Sequence, residues 1–343
     1  MTNLSLCSGY GGLDLAVEQI TGNKTLVYAE KDLFAARVME VRFPWATNLG
    51  DITAIDWAAV AQEHNFDTVS AGFPCQDISH AGKKKGITGA RSGIWKNVAE
   101  AVRFTRPRLV FLENVDAIRS RGLDVVVADL AAIGYDARWT CLRADEVGAP
   151  HRRWRWTCIA HPALSDPERS GRYRWPRDLA ETQGGNEPAD GGDEAASAAG
   201  REGVLTLLPS PTVADSRGTR NFTAKRRPGA KFNPGKTLTD FAWLLSDEAW
   251  VSVDGVDYGP AIRRWENILG RPAPEPTDAG RTGNRRITPE FTEWLMGLDE
   301  GWVTDVDIPR AKQQIALGNG VIPRQAVEGY RRLLTADLEA MAA

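Results

Sequence analysis

The feature that most constrains the fold is an alternation running from Leu4 to Ala160, in which short apolar runs are separated by stretches of helical periodicity. Leu4–Ser8, Thr25–Ala29, Thr68–Ala71, Arg108–Leu112, Ala137–Leu142 and Trp154–Ala160 read as strands. Between them Leu13–Thr21, Leu33–Arg42, Trp57–His64, Ile94–Thr105 and Leu123–Ile133 read as helices. Repetition of this kind builds a sheet with helices on its faces, and Leu109–Leu112 is apolar throughout, as a strand covered on both sides must be. The expected fold class is α/β: a doubly wound, mostly parallel sheet over residues 1–161, with a second, smaller domain.

After His161 the texture changes. Pro162–Gly203 is rich in Gly, Ala, Asp and Glu, and a flexible stretch is expected near 180–203. Residues 204–285 carry prolines, basic residues and scattered tryptophans with little periodicity. Order returns near Ile287, and Pro323–Met341 reads as a helix with proline in its first turn. Because the sequence opens almost directly on a strand, the C-terminal helix is expected to cover that part of the sheet and to bring Asn319 beside Gly9–Gly12. The domains then read as 1–161 with 286–343, and an inserted lobe at 162–285.

Composition excludes several classes. Hydrophobic residues at 42% and charged residues at 25% are ordinary for a soluble globular protein. There is no apolar run near the ~20 residues that cross a bilayer, and no signal-peptide pattern, so a cytoplasmic protein with no membrane partner is expected. Cys7, Cys75, Cys141 and Cys158 are far apart, which suits neither a disulfide framework nor a metal site. The net charge is −3, but its distribution is uneven. Between Ile78 and Trp95 the charged residues are Lys83, Lys84, Lys85 and Arg91; between Arg217 and Lys236 they are again all basic, and Arg217, Arg220, Arg226 and Arg227 belong to this second run. Either stretch suits a polyanion or a solvated loop.

Four short motifs carry chemistry. Ser8-Gly9-Tyr10-Gly11-Gly12 follows the first strand, where glycines let a ligand approach the backbone. Glu30 ends the second strand and Gly50-Asp51-Ile52 the third, which together describe a nucleoside-binding edge. The dinucleotide glycine pattern is missing, which counts against a nicotinamide enzyme. Gly72-Phe73-Pro74-Cys75-Gln76 puts a cysteine in a turn at the same edge, followed by the polar Gln76, Asp77 and Ser79. Leu112-Glu113-Asn114-Val115 closes an apolar strand with an acid, which is costly unless the acid is used or paired. Arg153 and Arg155 precede or enter the last strand, where alternation puts them on one face.

These motifs, with His151-Arg152-Arg153-Trp154-Arg155, Leu295-Met296-Gly297-Leu298 and Leu317-Gly318-Asn319-Gly320-Val321, resemble the DNA (cytosine-5)-methyltransferases in identity, order and spacing. The resemblance implies a Rossmann-like methyltransferase fold, a target-recognition segment at 162–285, and double-stranded DNA as substrate. Cys75 would be the nucleophile, Glu113 the group that manages the cytosine proton, and Arg153 and Arg155 the holders of base and loop. S-adenosyl-L-methionine would lie against Ser8, Gly9, Tyr10, Gly11, Gly12, Glu30, Asp51, Ile52, Pro74, Asn319 and Val321. DNA would meet Gln76, Ser79, Lys83, Lys84, Lys85 and Arg91 on the closing loop, and Arg217, Arg220, Arg226 and Arg227 in the target segment. The family works mostly as a monomer, either beside a restriction endonuclease or alone. Two departures stand out: Ser5 and Cys7 occupy positions that are usually Asp and Phe, and His151 and Trp154 stand where the arginine motif usually has Gln and Glu. A DNA-binding relative without turnover and an RNA cytosine-5 methyltransferase are the alternatives.

Overall fold

The computed structural model describes residues 2–74, 93–163, 205–218, 220, 236–246, 250–280 and 285–342. They fall into two compact units. The first comprises residues up to Leu142, those from Trp154, and those from Pro323 onward; the second comprises Arg143–Arg153 and the described residues from 205 to Ile322.

The first unit is a seven-stranded sheet in the order β3-β2-β1-β4-β5-β7-β6. Its strands are β1 (Thr2–Leu6), β2 (Lys24–Ala29), β3 (Thr47–Asn48), β4 (Thr68–Gly72), β5 (Leu109–Val115), β6 (Tyr135–Leu142) and β7 (Arg155–Pro162). The pairs from β3 through β5 are parallel, and β7 runs antiparallel to both β5 and β6. The mostly parallel α/β sheet expected from the alternation is therefore present, with one reversed strand. Helices α1 (Gly12–Thr21), α2 (Leu33–Arg42), α3 (Trp57–Glu63), α4 (Ile94–Thr105), α5 (Ile118–Arg121) and α6 (Leu123–Ala132) connect the strands.

One face of the sheet is apolar. Leu4, Leu6, Val27, Ala29, Val69, Ala71, Val110 and Leu112 pack there against Trp57, Trp95, Val98, Val102, Val126 and Leu130 from the helices. The other face is covered by α1 and by the C-terminal helix Pro323–Ala342. Tyr330 donates its hydroxyl to the Leu112 carbonyl at 2.9 Å and meets Phe111 edge-on, while Gln325 Nε2 donates to the Leu142 carbonyl at 2.7 Å. Gly329 is required at this contact, since a Cβ would come 2.5 Å from Thr157 Oγ1. The C-terminal helix thus supplies the cover expected of it.

Several boundaries differ from the sequence reading. β1 ends at Leu6 rather than Ser8, because Cys7 adopts φ 54 and leaves the strand. β5 continues to Val115, since the reversed β7 pairs Val115 with Arg155 and keeps the ladder going past Glu113. β3 is only Thr47–Asn48, and Asp51 caps a short 3₁₀ turn, Ile52–Ala54, instead of ending a strand.

The second unit has helices Leu238–Leu244, Gly259–Leu269, Pro289–Leu295 and Arg310–Asn319 and a small antiparallel pair, Thr277–Ala279 with Arg285–Ile287. Residues 286–322, grouped by sequence with the sheet, cluster here. The core of this unit is aromatic: Phe241, Trp265, Phe291 and Trp294 are buried, with Phe291 stacked on Trp294 and Trp250. The stretch near 180–203 lies outside the described residues.

Candidate active site

At the carboxyl ends of the parallel strands the chain makes three consecutive features. The first is the turn after β1. Cys7, Gly9 and Gly11 have φ of 54, 58 and 83. At Gly11 the left-handed backbone coincides with a close approach, since a Cβ there would lie 2.5 Å from the Phe43 ring. At Gly9 no atom lies within 4 Å of a built Cβ, so the turn is open on that side. Ser8 and Tyr10 are buried, and Gly12 opens α1.

The second feature is Glu30. Its Oε2 accepts from the Gly9 amide at 2.9 Å and Oε1 from the Asp32 amide at 2.8 Å. A carboxylate has about four acceptor sites, so capacity for a pair of hydroxyls remains. Burial raises its proton affinity above the usual carboxylate range, against the pull of the two amides. Asn48 holds Glu30 from behind: its Oδ1 accepts from the Glu30 and Gly50 amides, and its Nδ2 donates to the Glu30 carbonyl at 3.0 Å. Asp51 is held below the usual range by the Thr53 amide and hydroxyl, and its Oδ2 lies 3.5 Å from Lys31 Nζ. Ile52 is buried beneath it. Asn48 was not singled out in the sequence, although an asparagine just before Leu49-Gly50 is a signal for a side-chain-closed turn.

The third feature joins β4, β5 and β7. Arg155 Nε binds Glu113 Oε1 at 2.7 Å, and both side chains are nearly buried. Glu113 stands opposite Gly72 of β4, where a Cβ would make ordinary contacts with Glu113 Oε2 at 3.7 Å and with the Cys7 carbonyl oxygen at 3.8 Å. Asn114 Nδ2 donates to the Phe73 carbonyl at 3.2 Å, and the Phe73 ring rests on Trp95, so the backbone leading to Pro74 is fixed. Cys75, Gln76, Ser79, Lys83, Lys84, Lys85 and Arg91 lie outside the described residues. The described cysteines are poor nucleophiles: burial pushes Cys7 and Cys141 up to about 12 and Cys158 higher still.

Arg153 precedes β7 with φ 25, so the strand alternation expected to pair it with Arg155 does not reach it. Its Nη1 donates to the Pro211 carbonyl at 2.7 Å, and its Nη2 to those of Gly318 and Gly320 at 3.0 and 2.6 Å, all within the second unit. Asn319 ends the helix Arg310–Asn319 and is exposed; Val321 is buried just beyond it. Arg217 is exposed at the end of a 3₁₀ turn, and the Arg220 guanidinium lies 4.0 Å from the ring centre of the part-exposed Trp243. Arg226 and Arg227 lie outside the described residues.

Comparison with known proteins decides the family. The family model for C-5 cytosine-specific DNA methylases matches residues 1–333. The chain belongs to that family. Among similar proteins, Type II methyltransferase M2.BsuMI of Bacillus subtilis is 34% identical over 163 residues, 45% of this chain and 40% of that protein. Type II methyltransferase M.HhaI of Haemophilus parahaemolyticus is 33% identical over 156 residues, 44% of this chain and 46% of that one. The match thus spans under half the length of these curated relatives. The fold of this methylase family member is similar to that of S. pombe Dnmt2 methyltransferase, with a TM-score of 0.57 at 14% identity over 98% of this chain and 99% of the other. It is also similar to Entamoeba histolytica methyltransferase EhMeth, with a TM-score of 0.55 at 16% identity over 99% and 98%. No helix among the described residues is long and apolar enough to cross a membrane.

Proposed function

We propose that this chain is a DNA (cytosine-5-)-methyltransferase that methylates C5 of a flipped-out cytosine in a specific double-stranded DNA sequence, using S-adenosyl-L-methionine. The observation that carries the reading is the nearly buried Glu113–Arg155 ion pair, which stands opposite Gly72 at the end of β4, just before Phe73-Pro74-Cys75.

C5 of cytosine is a weak nucleophile, and it becomes enamine-like once a thiolate has added to C6. Cys75 supplies the thiolate, forming the S–C6 bond. Glu113 accepts from the exocyclic amine and shares a proton with ring N3, so the negative charge that addition pushes onto N3 is neutralised as the S–C6 bond forms. Arg155 keeps Glu113 oriented by a charge-assisted bond. When bound, S-adenosylmethionine supplies an electrophilic methyl group on a sulfonium. Once C5 is methylated, its proton passes to solvent and the C–H electron pair re-forms the C5=C6 bond as the S–C6 bond breaks, which returns Cys75 as the thiolate. Because stacking hides C5 within a duplex, the base must leave the helix.

The residues present fit that cofactor. The turn is open at Gly9, and the Glu30 carboxylate retains acceptor capacity for ribose hydroxyls. Asp51 and Ile52 suit the adenine, while Ser8–Gly12, Pro74, Asn319 and Val321 suit the remainder. Residues 162–285 serve as the target-recognition segment and 1–161 with 286–343 as the catalytic part. Arg217, Arg220, Arg226 and Arg227 meet DNA there, and Gln76, Ser79, Lys83, Lys84, Lys85 and Arg91 meet it on the loop. Arg153 braces the loop–backbone junction of the second unit. The enzyme acts as a cytoplasmic monomer, beside a restriction endonuclease or alone.

Methylation sequencing of DNA from cells expressing the parent chain or Cys75→Ala tests the proposal. Modified cytosine at a defined sequence in the parent alone is expected; equal background in both contradicts it.

A further inference from the structure

Beneath the Ser8–Gly12 turn lies a polar cluster that the proposed chemistry does not use. On the α1 side of the sheet the Asp14 carboxyl, 1% exposed, gathers hydrogen bonds at Oδ1. Thr25 Oγ1 donates at 2.8 Å, Asn3 Nδ2 at 3.3 Å and Ser70 Oγ at 3.4 Å. Asn3 also donates to Thr25 and Ser70, each at 3.0 Å, and its Oδ1 accepts from Thr68 Oγ1 at 2.9 Å. Thr25 reaches this face because the β1–β2 register shifts between Asn3 and Leu4, so β2 carries an extra residue there.

Ser5 lies on the same face of β1 as Asn3, two positions on. It stands beside Ser70 in the β1–β4 register, and its hydroxyl donates to Ser8 Oγ at 2.7 Å. A line of polar side chains therefore runs from the sheet interior to the first residue of the turn. Burying such groups is costly unless they are satisfied, and a satisfied network fixes local geometry. The turn at its end needs fixing: it holds Cys7, Gly9 and Gly11 at positive φ, and Cys7 carries a Cβ.

We propose that Ser5 is a positioning residue for the cofactor: acting through Ser8, it holds the backbone of the glycine turn in the form that receives S-adenosylmethionine. The proposal rests on the functional reading above. It makes Ser5 part of a supported turn, where the sequence alone showed only a departure from the family pattern.

Calorimetry of S-adenosylmethionine binding to the full chain tests it, with steady-state kinetics alongside. Ser5→Ala removes the link to Ser8 and is expected to raise Kd and the cofactor KM roughly five- to tenfold, with kcat at saturating cofactor unchanged. Ser5→Thr keeps the hydroxyl and is expected to stay within about threefold of the parent. Thr68→Val removes a hydroxyl at the far end of the cluster and is expected to lower Tm while leaving Kd within about twofold. A folded Ser5→Ala chain that binds as tightly as the parent overturns the proposal, and so does a Thr68→Val chain weakened as much as Ser5→Ala. A parent chain that binds no S-adenosylmethionine overturns the functional reading itself, and this proposal with it.

Discussion

The two units differ in what their charged side chains do. In the first, Glu30 after β2, Glu113 near the end of β5 and Arg155 at the start of β7 stand at strand ends. In the second, they turn inward and hold the chain itself. Arg153 binds three backbone carbonyls, Glu293 accepts from the amides of Gly301, Val303 and Thr304, and Arg264 donates to the Gly148 and Ala149 carbonyls. A sheet satisfies its own backbone, so its edge side chains are left for chemistry. A unit with little sheet must spend side chains on its loops. Arg153 and Arg155, separated by one residue, fall on either side of that divide.

The comparison breaks most sharply at Glu113. Glu113→Gln keeps the shape but not the charge, and methyl transfer is expected to fall about 10³-fold with little change in melting temperature. Activity within a few-fold of the parent would remove Glu113 from the chemistry. Next is the arginine pair. Arg153→Ala leaves buried carbonyls unsatisfied and is expected to cost about 3 kcal/mol in urea unfolding, whereas Arg155→Ala is expected to act mainly on kcat. If the two variants lose stability equally, the contrast between the units fails.

A smaller effect is expected at Gly318. A Cβ there would lie 2.5 Å from the Thr212 carbonyl carbon and 2.6 Å from the Val213 nitrogen, both backbone atoms that cannot swing aside. Gly318→Ala should cost about 2 kcal/mol, measured by chemical denaturation. The least effect concerns Asp14. Burial raises its carboxyl above its ordinary value of 3.8, so the folded chain binds more proton than the unfolded one. Its contribution is most favourable below that value and is lost as pH rises from it through the folded pKa. Asp14→Asn does not titrate, so its stability relative to the parent should increase across that window in pH-dependent unfolding; a flat difference would deny the raised affinity.

Legibility followed the same divide. The β1–β5 repeat and its edge motifs could be read because period-2 and helical patterns report sheet and helix burial directly. The reversal of β7 could not, since an apolar strand looks alike in either direction. That reversal carries β5 past Glu113 and sets Arg155 opposite Val115. Helices Leu238–Leu244 and Gly259–Leu269 escaped notice because an aromatic core of Phe241, Trp265, Phe291 and Trp294 needs few apolar positions to fill it. Arg153 was placed by alternation, a rule that holds only inside a strand; its positive φ puts it outside one. Asp14 passed unremarked because an acid in the first turn of a helix is ordinarily a solvated one.

The central claim is that Cys75 attacks C6 of an extruded cytosine while Glu113 manages the ring. Duplex carrying 5-fluorocytosine at the methylated position tests it directly, since fluorine at C5 blocks the proton loss that frees the thiol. Incubated with this DNA and S-adenosylmethionine, the parent chain should form a covalent complex that survives denaturation, with its mass increase located on Cys75. Active parent enzyme that forms no such complex, or a complex that persists in Cys75→Ala, would contradict the account.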